Sequence, residues 1–171
     1  LLCIGDSLTH ASVYTEHLLM LSSKPGEPEL TLVGSNGPGN EPGRNRHEGY
    51  GGWTAKHFAT HYTGTARGGV YAERGSPFLY AAGDDAPRLD FERYCADVHG
   101  GQAPDFVTIF LGCNDTFHAL DESIEAVIDE MVVHLDALIS AIRAFAPEAR
   151  IGIMPPAPPA ASQDAFGANY G

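Results

Sequence analysis

The chain has 171 residues, enough for one domain with a buried core. Its 43% hydrophobic and 19% charged residues are the balance of a globular protein and exclude a disordered or fibrous one. A formal charge of −12 would repel phosphate backbones and anionic membrane surfaces, so no nucleic acid partner is expected, and no apolar run is long enough to span a bilayer.

The chain opens on an apolar run, Leu1-Leu2-Cys3-Ile4, which reads as a strand. Gly5-Asp6-Ser7-Leu8 follows as a tight turn into a helix over about 9–22, where Ala11, Tyr14, Leu18 and Leu21 recur at helical spacing. Lys24-Pro25-Gly26 ends that helix. Leu30-Thr31-Leu32-Val33 reads as a short strand, and the Gly-, Pro- and Asn-rich residues 35–46 as a loop. A short helix is predicted from Trp53 to Tyr62, then irregular structure over 63–104 that could wall a pocket.

Phe106-Val107-Thr108-Ile109-Phe110-Leu111 is the clearest strand, apolar on both faces as a central parallel strand should be. Asp121 can cap the next helix, whose Ile124, Ile128, Met131, Leu135, Leu138, Ile142 and Phe145 form one apolar face. Pro147 stops it, Ile151-Gly152-Ile153-Met154 is a further strand, and the Pro/Ala run 155–161 is a loop or linker. The order β-α-β-(long loop)-β-α-β implies one α/β domain over 1–171, a parallel sheet with helices on both faces. Opening inside a strand and stopping in a loop, it is expected to be incomplete at both ends.

Three segments carry chemistry. Ser7 would sit at the carboxyl edge of the sheet beside a helix N-terminus, where a hydroxyl could attack an acyl carbon; it also suits simple helix capping. Asn114, in Gly112-Cys113-Asn114-Asp115 after the central strand, would converge on the same edge and could donate to an oxyanion, or serve a turn. His47-Glu48-Gly49-Tyr50-Gly51-Gly52-Trp53-Thr54 holds three glycines whose backbone could aim an N–H into the site, or simply turn. Tyr50 and Trp53 either pack or line a pocket, where their faces would suit a sugar ring.

With these blocks in order, the chain resembles the SGNH hydrolases, also called the GDSL esterase/lipase family. The resemblance covers most of the chain outside about 63–104. It implies a flavodoxin-like three-layer α/β/α sandwich, Ser7 as nucleophile, and Gly52 and Asn114 as oxyanion donors. Asp6, Tyr50 and Trp53 become candidate substrate contacts. The family's last block, Asp-x-x-His, is absent after Met154. Asp115-Thr116-Phe117-His118 has the spacing, but its Asp already belongs to the third block. The catalytic His and its Asp are therefore expected beyond Gly171, because an unactivated serine is a poor nucleophile.

The implied activity is a serine esterase acting on small acyl esters, with no cofactor. Family members with a comparable Glu-Gly…Gly-Trp-Thr second block are often carbohydrate O-deacetylases, which favours acetylated carbohydrate as substrate. A lipase or lysophospholipase, and a non-catalytic carbohydrate-binding relative without the base, are the alternatives. His57 and His61 stand four apart, but Phe58 follows the first, where zinc proteases place Glu, so no metal is assigned; Asp84-Asp85 reads as a solvated turn. The odd set Cys3, Cys95 and Cys113 reads as buried thiols, which favours a reducing compartment. A secreted protein without disulfides fits the same set, so the compartment stays open, as does the oligomeric state.

Overall fold

A computed structural model describes residues 1–39, 43–64, 75–156 and 168. Four parallel strands form the central sheet: β1 (Leu2–Gly5), β2 (Glu48–Gly49), β5 (Phe106–Phe110) and β6 (Arg150–Ile153), in spatial order β2-β1-β5-β6. The first strand lies inside the sheet and the second at its edge, as in flavodoxin-like sheets, so the order reverses at β1. Leu2 pairs with Val107 and Gly5 with Phe110, so β1 and β5 end at one level. Whatever follows each strand meets at that edge.

Strand alternation assigns the layers. Leu2, Ile4, Val107 and Ile109 are fully buried on one face, among Phe58, Leu138 and Ile142. There lie α3 (Ala55–Thr60), α4 (Phe91–Val98) and α6 (Ile124–Phe145). Cys3 faces the other way and packs with Leu19 of α2 (Val13–Ser22) and Leu32. The result is the three-layer α/β/α sandwich, with α6 the longest element, burying Leu135, Leu138 and Ile142 at spacings of three and four. Glu125 in its first turn and Arg143 in its last follow the helix dipole. No helix among the described residues is long and apolar enough to cross a membrane.

Four expectations need correction. The helix over 9–22 is two: α1 (Ser7–His10) and α2, separated at Ser12, which adopts a left-handed φ of 62°. Ser12 is held there by its hydroxyl, which donates to the His10 carbonyl and meets His47 Nε2 at 2.8 Å. Leu30–Val33 is not a strand: Val33 makes only an isolated bridge to Leu2, and Glu48–Gly49 takes the place beside β1. The region 63–104 is not wholly irregular. It contains the antiparallel pair β3 (Leu79–Tyr80) and β4 (Arg88–Leu89) and then α4, while 65–74 lie outside the described residues. Finally, α6 begins at Ile124 with Ser123 as its N-cap, two residues past Asp121. Of the run 155–161, residues 157–161 also lie outside the described residues.

The cysteines are free thiols, Cys3 and Cys95 buried and Cys113 half-buried. Burial pushes the Cys95 thiol up to about 11.

Candidate active site

The site is assembled where β1 and β5 end. After Gly5 the chain must turn sharply into α1, and Asp6 makes the turn: its Oδ1 accepts the Leu8 N–H at 3.0 Å, capping α1. Because Asp6 is the cap, Ser7 is the first helical residue and its hydroxyl is not used for capping. Ser7 is exposed, and among the described residues its Oγ has no hydrogen-bond partner. Gly5 is required by the close packing beneath: a Cβ there would lie 2.1 Å from Thr9 Oγ1 and 3.0 Å from the Phe110 carbonyl.

Asn114 lies in α5 (Cys113–Thr116), directly after β5. Its Nδ2 donates to the Trp53 carbonyl at 3.0 Å and lies 3.5 Å from Asp6 Oδ2. The first, second and third sequence blocks therefore meet at one side chain. Asp6 itself is 3% exposed; it caps the serine's helix and borders Asn114.

The second block is held from below. The Tyr50 N–H donates to the Gly5 carbonyl at 3.0 Å, extending β2 along β1. Gly52 then takes a positive φ of 77° with open space around its α-carbon, and among the described residues its N–H has no acceptor. Glycine is suited to this conformation because other residues rarely enter it. Tyr50 and Trp53 are buried at 2% and 7% exposure and stacked on each other at 4.4 Å. Phe58 packs on both rings and His57 stacks on Trp53, so both rings sit in the core.

Two side chains of the second block are held under the site by partners that the sequence did not disclose. Glu48 is fully buried, and its carboxylate accepts from the Ser35 N–H (2.5 Å), Ser35 Oγ (2.9 Å), Tyr50 Oη (2.6 Å) and Tyr94 Oη (2.7 Å). Burial, then the neighbouring Glu48, pushes the Tyr94 phenol well above its ordinary range. His47 is equally buried. The Gly49 N–H donates to its Nδ1 at 3.0 Å, so its hydrogen is on Nε2, which donates to Ser12 Oγ. Burial, then the adjacent His10 and Arg46, holds this imidazole down at about 4.

His57 closes a capping box on α3 with Thr54 and stacks on Trp53. Burial, then the adjacent His61, lowers its pKa. Among the described residues no group of three or more His, Cys, Asp or Glu could hold a metal ion.

The model of the GDSL-like Lipase/Acylhydrolase family matches residues 3–170. The chain belongs to this family. No curated protein matches it. Two solved structures are similar to this GDSL-family chain: an acetyl esterase, crystallised as a serine-to-alanine mutant with an acetate ion, at 18% identity and a TM-score of 0.43, and a carbohydrate esterase family 3 protein from Talaromyces cellulolyticus, at 19% identity and a TM-score of 0.42. Each match covers 89% of this chain and 59% of the other, so the chain spans about three fifths of the length of either structure.

Proposed function

We propose that this GDSL-family chain is the nucleophile-bearing part of a serine esterase that hydrolyses small acyl esters, with O-acetyl groups on carbohydrate as the favoured substrate. The observation that carries the reading is the state of Ser7: it begins a helix already capped by Asp6, so its hydroxyl is exposed and, among the described residues, unbonded at the sheet edge where Asn114 and the Gly52 turn also lie. The carbohydrate preference rests on the second block, Glu48-Gly49…Gly52-Trp53-Thr54, and not on the buried Tyr50 and Trp53 rings.

In this reading Ser7 Oγ attacks the ester carbonyl while a histidine takes its proton. The oxyanion is met by the N–H groups of Ser7 and Gly52 and by Asn114 Nδ2. The histidine returns the proton to the leaving alcohol, and water then hydrolyses the acyl-enzyme. We assign the histidine and its orienting aspartate to chain following Gly171, because Asp-x-x-His does not occur after Met154. The test is acetate release from acetylated oligosaccharide by the full-length protein, compared with Ser7→Ala. Release by the parent protein and its loss in the variant are expected. No release from acetyl sugars, with hydrolysis of long-chain esters instead, would replace the carbohydrate reading by the lipase one.

A further inference from the structure

We infer that Asp115 is the positioning residue of the oxyanion turn, acting with its neighbour Asn114 as a two-point clamp on the segment that follows Gly52. This rests on the esterase reading above. The clamp is visible in the hydrogen bonds. Asn114 Nδ2 donates to the Trp53 carbonyl at 3.0 Å, and Asp115 Oδ1 accepts the Ala55 N–H at 3.0 Å. Two consecutive residues of α5 thus grip one carbonyl and one N–H separated by a single residue, Thr54.

Gly52 itself is tied less firmly. It sits at φ 77° with no side chain, and among the described residues no bond fixes its N–H. The direction of that N–H is therefore set by what fixes the chain on either side. The Trp53 N–H closes the turn onto the Tyr50 carbonyl at 3.2 Å; before the turn the Tyr50 N–H bonds the Gly5 carbonyl, and after it stands the clamp. Only the second side reports to the strand that supplies Asn114, so the clamp ties two oxyanion donors together.

A plain helix cap does not explain an aspartate at this position. Thr54 already caps α3, its Oγ1 accepting from the His57 N–H and its backbone N–H bonding His57 Nδ1. Asp115 adds a second acceptor at the first helical residue, Ala55. It does so at a cost, since its Oδ2 is buried without a partner among the described residues. A carboxyl group kept half-buried with one oxygen unsatisfied suggests a role other than stability.

The experiment compares full-length wild type with Asp115→Ala and Asp115→Asn at a temperature well below each Tm. It reads kcat and KM for p-nitrophenyl acetate and the backbone amide signals of Gly52 and Ala55. Asp115→Ala is expected to lower kcat about 10- to 100-fold with KM within about twofold, below the loss for deleting an oxyanion donor outright. Its Gly52 and Ala55 signals should shift together. Asp115→Asn, which keeps an acceptor for the Ala55 N–H, is expected to recover most of kcat and the wild-type Gly52 signal. An unchanged kcat in Asp115→Ala would overturn the assignment, as would an equal loss in both variants. If the wild-type protein hydrolyses no ester, the esterase reading fails by itself and the amide signals decide the clamp: a Gly52 shift in Asp115→Ala supports it, and an unmoved signal overturns it.

Discussion

Asn114 Nδ2 donates to the carbonyl of Trp53, 61 residues earlier, at 3.0 Å. This bond joins the end of β5 to the Gly52 turn, and the 3.5 Å approach to Asp6 brings the same amide to the helix that carries Ser7. Parallel pairing of β1 with β5 makes the meeting unavoidable, because both strands end at the same sheet edge.

On the esterase reading proposed above, replacing Asn114 by alanine is expected to lower kcat about 10²- to 10³-fold, the usual loss for one oxyanion donor. The residue is half-buried and outside the main hydrophobic cluster, so the fold should survive. Steady-state kinetics beside a thermal melt would check this; a variant with unchanged turnover would remove Asn114 from the site.

Glu48 should matter more for stability than any residue at the sheet edge. Its removal takes the buried carboxylate acceptor away from the Ser35, Tyr50 and Tyr94 hydroxyls. Glu48→Ala is predicted to cost about 3 kcal/mol or more, measured by urea unfolding. Glu48→Gln should also destabilise, since its amide presents donors to donors. A loss below about 1 kcal/mol would contradict the network's weight.

His47 gives a pH dependence with a definite sign. Its folded pKa of about 4 lies below the ordinary 6.5, so the unfolded chain binds more protons between those values. Its contribution is complete above pH 6.5 and is lost as pH falls toward 4, amounting to about 3 kcal/mol across that window. The lowered pKa of His57 adds to the trend in the same direction. Unfolding free energies from pH 4 to 7 should rise steeply in the wild-type protein and less steeply in His47→Gln; equal slopes would refute the assignment.

Two glycines of the second block should respond differently to alanine. A Cβ on Gly49 would meet the His10 nitrogen at 2.5 Å and the Thr9 carbonyl carbon at 2.6 Å, both backbone atoms that cannot swing aside. Gly49→Ala is expected to cost about 3 kcal/mol by displacing α1. At Gly52 the space is open, so alanine faces only the positive φ, a cost of about 1 kcal/mol. Paired thermal melts would test the order.

What the sequence disclosed follows from where its signals are local. Gly5-Asp6-Ser7-Leu8 after an apolar run, and the apolar strand before Gly112, are short-range patterns, and they located the sheet edge. β2 escaped because Glu48–Gly49 has no strand propensity; it is ordered by pairing with Ile4 and Gly5 and by the buried Glu48 bonds. Leu30–Val33 has that propensity, yet only Val33 bridges β1. The break at Ser12 depends on His47, 35 residues away, which no helical period reports. α4 was missed although its signal is local: Phe91, Tyr94, Cys95 and Val98 stand at helical spacing after a capping Asp90, inside a stretch whose Gly and Pro content hid them. For Tyr50 and Trp53, which flank the glycines, the sequence left packing and pocket lining open, because the core they fill is contributed by distant α3 and α4.

The most direct test of the central claim is intact-mass spectrometry of the full-length protein before and after a fluorophosphonate probe, with Ser7→Ala alongside. The account predicts a single adduct on the wild-type protein and none on Ser7→Ala, which requires both an accessible Ser7 and a base that activates it. A folded full-length protein that takes no adduct, or a Ser7→Ala variant that takes the same one, would contradict Ser7 as the nucleophile.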